Sequence, residues 1–355
     1  MKLKKLFAGV VAVAMMATMA MPSFAAMGGS ATVNNEGTAR SDTSSIVLKK
    51  EYNVQNQGTT SPAETFTFSH VKTSVKNAGK GITKDNMPDI EVSDVAFAQG
   101  AAGSENKVGN VTITLPEYTS VGVYTYTITE NNNNNAGVAY RTEPITVVVT
   151  VVNDDNSDSL VRIPVIHIGN AEAQKGDTFT DNTYKAGTLT VEKQVKGTQG
   201  NKSKDFAFTL TLTGEEGKTY PETGYSVTAT AVNDNTLTQL TNIKIGETKT
   251  FYLHDDATLV INNLPYNVGY TITETDYTAT GDDDEHGYTT KVNGAVGLKA
   301  EGTIENSANN VEFENSKGGT IDTGVILDNA PYILMLAVVA GGAMMLVIKK
   351  RREEE

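Results

Sequence analysis

The chain has 355 residues, no cysteine and no tryptophan, 39% hydrophobic and 20% charged residues, and a formal net charge of −13. That length and composition support two folded domains of ordinary size, while the acidic balance repels phosphate backbones and argues against nucleic acid as a partner. The missing cysteines exclude disulfides, so an exported chain of this kind would need another staple.

Met1–Ala25 carries Lys2, Lys4 and Lys5, then an apolar run, then Ser23-Phe24-Ala25. This predicts a secretory signal peptide cut after Ala25. Residues 26–44 are rich in Gly, Ser, Thr and Asn and read as a flexible lead-in. Residues 45–185 form a predicted first domain, with strands over Phe66–Phe68, Val111–Leu115, Val123–Ile128, Ile145–Val151 and Val161–Ile168. Residues 186–318 form a second. There Phe206–Leu212 echoes Phe66–Phe68, and Leu259–Ile261, Tyr270–Thr273 and Val311–Phe313 add strands. Thr, Val, Gly and Asn are abundant, and helical periodicity is confined to the two ends, so the expectation is all-β, with sandwiches favoured over barrels. Only Ala186-Gly187 separates the units, which predicts a stiff end-to-end pair.

Residues 319–355 close the chain. Ile321-Asp322-Thr323-Gly324 precedes an apolar segment over 331–348 and the basic tail Lys349–Arg352. The segment is close to the shortest that spans a bilayer, and the basic tail holds its end in the cytoplasm. Gly281-Asp-Asp-Asp-Glu-His286 gathers oxygen ligands without EF-hand spacing and reads as a solvated loop. The four histidines form no metal or nucleophile pattern, and no phosphate loop, nucleophile elbow or dinucleotide fingerprint is present. No metal or cofactor is expected, and no enzyme in the turnover sense.

Tyr-Thr-Ile-Thr-Glu occurs twice, at Tyr126–Glu130 and Tyr270–Glu274. Period-2 alternation puts Tyr126, Ile128 and Glu130 on one face, and Tyr270, Ile272 and Glu274 on another. Each strand thus drives a carboxyl group into an apolar interior, where a lone charge is costly. The same alternation turns Lys50 inward with Ile46 and Leu48, and Lys193 inward with Leu189 and Val191. Downstream lie Asn182 and Asn315, one near the end of each unit. Burial disfavours the ammonium and the carboxylate alike, which suits lysine as a nucleophile and glutamate as a proton carrier.

Lys, Glu and Asn in that order, with the Glu closing a Tyr-Thr-Ile-Thr-Glu strand, resemble the isopeptide-forming domains of Gram-positive surface proteins. Two in tandem resemble the sortase-assembled backbone (major) pilins of the streptococcal T-antigen type, built from immunoglobulin-like (CnaB-type) β-sandwich domains. The resemblance covers nearly the whole mature chain. It implies bonds Lys50–Asn182 and Lys193–Asn315, with Glu130 and Glu274 as the catalytic acids. Phe313-x-Asn315 keeps phenylalanine and acceptor on one face, whereas Phe179-x-x-Asn182 needs a bulge to do so. Asp181 is therefore the alternative acceptor, and would lose water rather than ammonia. The tail resembles a sortase signal whose motif, 321–324, lacks the usual proline. By the same resemblance Lys175 attacks the thioester formed at Thr323, with Lys185 as its competitor. Partners implied are further copies of the chain in a head-to-tail covalent polymer, a class C-type pilus sortase, minor pilins, peptidoglycan and a host surface. The expected location is the cell wall, with the sorting helix transiently in the membrane. The alternative is a monomeric wall-anchored adhesin or accessory pilin that binds a host ligand.

Overall fold

The computed structural model describes residues 41–318 except 57, 101–105, 156 and 280–285. The predicted signal peptide, sorting motif, 331–348 segment, basic tail and the acidic part of the 281–286 loop lie outside the described residues. Among the described residues no helix is long and apolar enough to cross a membrane.

The first domain contains β1 (Ser45–Gln55), β2 (Glu64–Phe66), β3 (Phe68–Lys76), β4 (Glu91–Val92), β5 (Val95–Phe97) and β6 (Asn106–Thr114). It continues with β7 (Gly122–Glu130), β8 (Val138–Ala139), β9 (Ile145–Asn153), β10 (Leu160–His167) and the first half of β11 (Thr178–Lys196). The rest of β11 opens the second domain. There follow β12 (Phe206–Thr213), β13 (Tyr225–Ala229), β14 (Asn242–Ile243), β15 (Thr248–Leu253), β16 (Thr258–Pro265) and β17 (Gly269–Glu274). The chain ends in β18 (Thr289–Val292), β19 (Ala295–Val296), β20 (Lys299–Thr303) and β21 (Ala308–Ser316).

Each domain is an immunoglobulin-like sandwich. In the first, β4, β6, β1, β11 and β8 face a second sheet ordered β10-β9-β7-β3. In the second, the sheet holding β14, β13, β16, β11, β21 and β18 faces one ordered β15-β12-β17-β20. Inward residues from both sheets form one core per domain: Leu48, Val111, Tyr126 and Val147 meet in the first, and Leu189, Leu210, Leu259 and Ile272 in the second. Alternation is the cause. Along β7 the residues Tyr124, Tyr126, Ile128 and Glu130 are buried, while those between them are not.

Two features place the site. First and last strands of each domain pair in parallel: β1 with the front of β11, and the rear of β11 with β21. And β11 is one uninterrupted strand of 19 residues. The expected Ala186-Gly187 junction is therefore no linker, because both residues are buried and paired within the sheet. Glycine is needed there by close approach: a Cβ at 187 would collide with the Asn306 carbonyl. Phe66–Phe68, expected as one strand, is instead the hand-over from β2 to β3, which belong to different sheets.

Polar contacts tie the two domains together around that strand. Asn56 Nδ2 donates to the Ala186 carbonyl at 2.7 Å and to Tyr266 Oη at 2.9 Å. Asn263 exchanges two bonds with the Thr60 backbone, at 2.9 and 2.8 Å. The turn after β7 pairs with Thr219 through Asn134 and Ala136, and Glu64 holds that turn by accepting from Asn133, Asn135 and Tyr140.

Candidate functional site: two buried lysine–glutamate–asparagine clusters

In the first domain, Lys50 on β1, Glu130 at the end of β7 and Asn182 on β11 converge. Lys50 and Asn182 have no exposed surface, and the Glu130 side chain has none either. Lys50 Nζ donates to Glu130 Oε2 at 2.6 Å and contacts Asn182 Oδ1. Asn182 Nδ2 donates to Glu130 Oε1 at 2.5 Å, and the Arg141 backbone N–H donates to the same oxygen at 3.0 Å. The rings of Phe66 and Phe179 wall the lysine, at 3.8 and 4.7 Å from Nζ to centroid. Burial pushes the Lys50 ammonium down to about 8, against the pull of Glu130.

The second domain repeats the arrangement with different hydrogen bonding. Lys193 Nζ donates to Glu274 Oε1 at 3.0 Å and Asn315 Nδ2 to the same oxygen at 2.6 Å. Phe206 and Phe208 wall this lysine, at 4.4 and 5.7 Å. Burial brings Lys193 down to about 8 and raises the Glu274 carboxyl above its usual range. Glu274 Oε2 and Asn315 Oδ1 are both buried without a hydrogen-bond partner. Such orphans are costly. A proton on Glu274 would remove the charge that burial disfavours and would turn an orphaned acceptor into a donor.

The register explains how distant residues meet. β11 and β21 pair without interruption, so Lys193 lies opposite Phe313 and Val195 opposite Asn315. β1 and β11 shift register: Lys50 lies opposite Phe179, but Tyr52 lies opposite Asn182. Here the strand carries the extra residue that the sequence pattern requires. Thr180 and Asp181 face outward, and Asn182 faces the lysine. Asp181 forms an ion pair with Arg141 instead.

The remaining expected residues stand apart from the clusters. Lys175 is exposed in the turn between β10 and β11, where it bridges back to His167. Lys185 is exposed on β11, and its carbonyl accepts from the Tyr266 N–H. Thr323, with Ile321, Asp322 and Gly324, is outside the described residues. The reading of the sequence missed Arg141 and the aromatic walls. The repeated Phe-x-Phe preceding each glutamate strand, at 66/68 and 206/208, was the available signal for Phe66, Phe206 and Phe208, but not for Phe179. Arg141 offered none. Among the described residues no group of His, Asp and Glu is placed to hold a metal ion.

Residues 46–185 match the family model of the Spy0128-like isopeptide containing domain, and residues 187–317 match a domain of unknown function, DUF7601. A pilin of Streptococcus pyogenes serotype M1 is 29% identical over 331 residues, covering 89% of this chain and 92% of the relative. The crystal structure of the major pilin from Streptococcus pyogenes has 26% identity, covers 78% of this chain and 99% of its own, and has a TM-score of 0.47. The T-13 major pilin of the same species has 23% identity, with 77% and 99% coverage and a TM-score of 0.44.

Proposed function

We infer, for a chain that belongs to the streptococcal-type backbone pilins, that it is a shaft subunit which cross-links itself internally and is then joined to its neighbours by sortase. It is a structural pilin subunit of the cell surface and not an enzyme. The observation that carries the internal chemistry is the pair of fully buried clusters, each of which bridges the first and last strands of one domain through lysine, glutamate and asparagine. We assign residues 45–185 and 186–318 as the two isopeptide-forming domains, residues 1–25 as the signal peptide and 319–355 as the sorting signal.

The chemistry follows from burial and contact. Neutral lysine presents a lone pair to the asparagine Cγ. The glutamate, in reach of both partners, accepts a lysine proton and delivers one to Nδ2; in the second domain the raised Glu274 carboxyl can also carry a proton that polarises the amide oxygen. The Cγ–Nδ2 bond breaks, ammonia leaves, and an Nζ–Cγ amide remains. Holding amine and amide together in one core is worth an effective molarity of about 10⁵–10⁸ M. Glu130 and Glu274 each serve one domain, because the clusters lie in separate cores.

Assembly is assigned to the exposed lysine and the tail. Sortase would cut between Thr323 and Gly324 and hold the subunit as a thioester. Lys175 of the next subunit would displace it, giving an open head-to-tail polymer. Peptidoglycan would receive the last subunit, and minor pilins would join the same fibre. Intact mass spectrometry of residues 26–323 tests the internal chemistry, with two ammonia molecules expected to be lost. A mass equal to the plain sequence would overturn it. A denaturing gel of wall extracts tests assembly: a ladder supports the shaft, and a single band points to a monomeric wall protein.

A further inference from the structure

In the first domain the acceptor is decided by one residue of register. In the second domain it stands two residues beyond the phenylalanine opposite lysine, at Asn315. The corresponding residue of the first is Asp181, whose carboxyl could itself close on an amine. The extra residue in β11 displaces it, so that Asn182 takes the place. A one-residue slip exchanges the faces of a strand, so whatever holds this bulge selects the chemistry.

Arg141 holds it. Its side chain is only 6% exposed, whereas that of its ion-pair partner Asp181 is 52% exposed. A buried guanidinium strongly favours keeping its carboxylate. Its Nε donates to the Glu143 carbonyl at 2.8 Å, which fixes the fork. Its backbone N–H is the donor to Glu130 Oε1, so one residue braces both the proton carrier and the bulge. Asn182 Nδ2 also donates to the Ala139 carbonyl on the adjoining β8 at 3.2 Å.

We propose that Arg141 is the residue that determines acceptor specificity in the first domain: by pinning Asp181 at the surface it presents Asn182, and not Asp181, to Lys50. This rests on the isopeptide reading above. Closure on Asn182 forms Nζ–Cγ, breaks Cγ–Nδ2 and releases ammonia. Closure on Asp181 in its protonated form makes the same bond, breaks a Cγ–O bond and releases water. Arg141 touches neither reacting atom and is a positioning residue.

Peptide mapping by mass spectrometry of residues 26–323 reads both the partner of Lys50 and the leaving group. The parent protein is expected to show Lys50 joined to Asn182 alone; if no bond forms there, the isopeptide reading itself fails, whatever Arg141 does. Given that bond, Arg141→Ala is expected to yield linkage at position 181 with loss of water, and Arg141→Lys to restore linkage at Asn182 alone. A role in folding alone would lower the yield without changing the partner, so linkage confined to Asn182 in Arg141→Ala overturns the proposal. Should that variant not fold, Asp181→Asn decides, because it removes the charge held by Arg141 at an exposed position. Linkage appearing at position 181 supports the pin, and linkage confined to Asn182 overturns it.

Discussion

Replacing Glu274 by alanine separates the two domains energetically. The carboxyl group accepts from both Lys193 and Asn315, and neither has another route for the proton that must move. The second bond should therefore not form, while the first, built around Glu130, should. The missing link spans β11 to β21 and closes a loop of roughly 120 residues, for which the chain-entropy account gives about 5 kcal/mol. Removing the carboxyl also leaves two buried donors without an acceptor, a further cost of about 1–3 kcal/mol. For a domain of this size, each kcal/mol moves the melting temperature by about 3–5 °C, so the second domain should melt roughly 20–40 °C lower. Calorimetry of residues 26–323 should then resolve two transitions, only one of them displaced, and intact mass should show one ammonia lost instead of two. Glu274→Gln, which keeps the shape but cannot carry the proton, should behave in the same way chemically. Loss of two ammonia molecules in Glu274→Ala would refute the assignment of the acid, and an unshifted second transition would refute the energetic argument.

Closure of the second domain during refolding should follow a bell-shaped pH dependence. The reactive state needs Lys193 neutral, which is favoured as pH rises toward about 8, and Glu274 protonated, which its raised carboxyl allows to a higher pH than usual; a flat profile by quenched mass spectrometry would contradict this. In Asn315→Ala the lysine stays free. Its folded value, about 8 against 10.5 unfolded, means that the unfolded chain binds the extra proton between those limits, so stability should rise with pH across that window. The gain is of order 3 kcal/mol, measured by urea unfolding against Lys193→Met/Asn315→Ala as reference. Lys175→Ala, expressed with its sortase, should fold and keep both internal bonds yet give no ladder of polymers; a persisting ladder would move the assignment to Lys185.

Much of the site could be read from alternation alone. A period of two is enough to turn Lys50, Glu130, Lys193 and Glu274 inward, because each shares its face with tyrosine, leucine, isoleucine or valine. Asn182 was harder. Its face depends on a bulge, and the bulge depends on Arg141, which is distant in sequence and sits in a stretch with no periodicity of its own. The continuity of β11 was hidden for a related reason. Gly187 looks like a boundary because glycine weakens strands in general, but here a neighbouring carbonyl approaches too closely for any side chain. The split of Phe66 from Phe68 is likewise tertiary, since nothing in Phe-Thr-Phe says that the two rings belong to strands of different sheets.

The unbroken strand has a mechanical meaning. With both bonds in place, β11 receives one at Asn182 and gives the other at Lys193. In the proposed polymer tension would enter at Lys175, run along β11 past Asn182 to Lys193 and cross there to Asn315, while the Lys50–Asn182 bond would tie residues 50–182 into a closed loop beside that path. The direct covalent route through both domains then reduces to 175–193, at ~3.3 Å per residue no more than about 60 Å long. Everything else in the two sandwiches hangs beside that route as closed loops that bear no axial force. A fibre built in this way would have almost no slack to give: its subunits would stretch like a tie-rod, and rupture would require breaking an amide before any core strand unravelled.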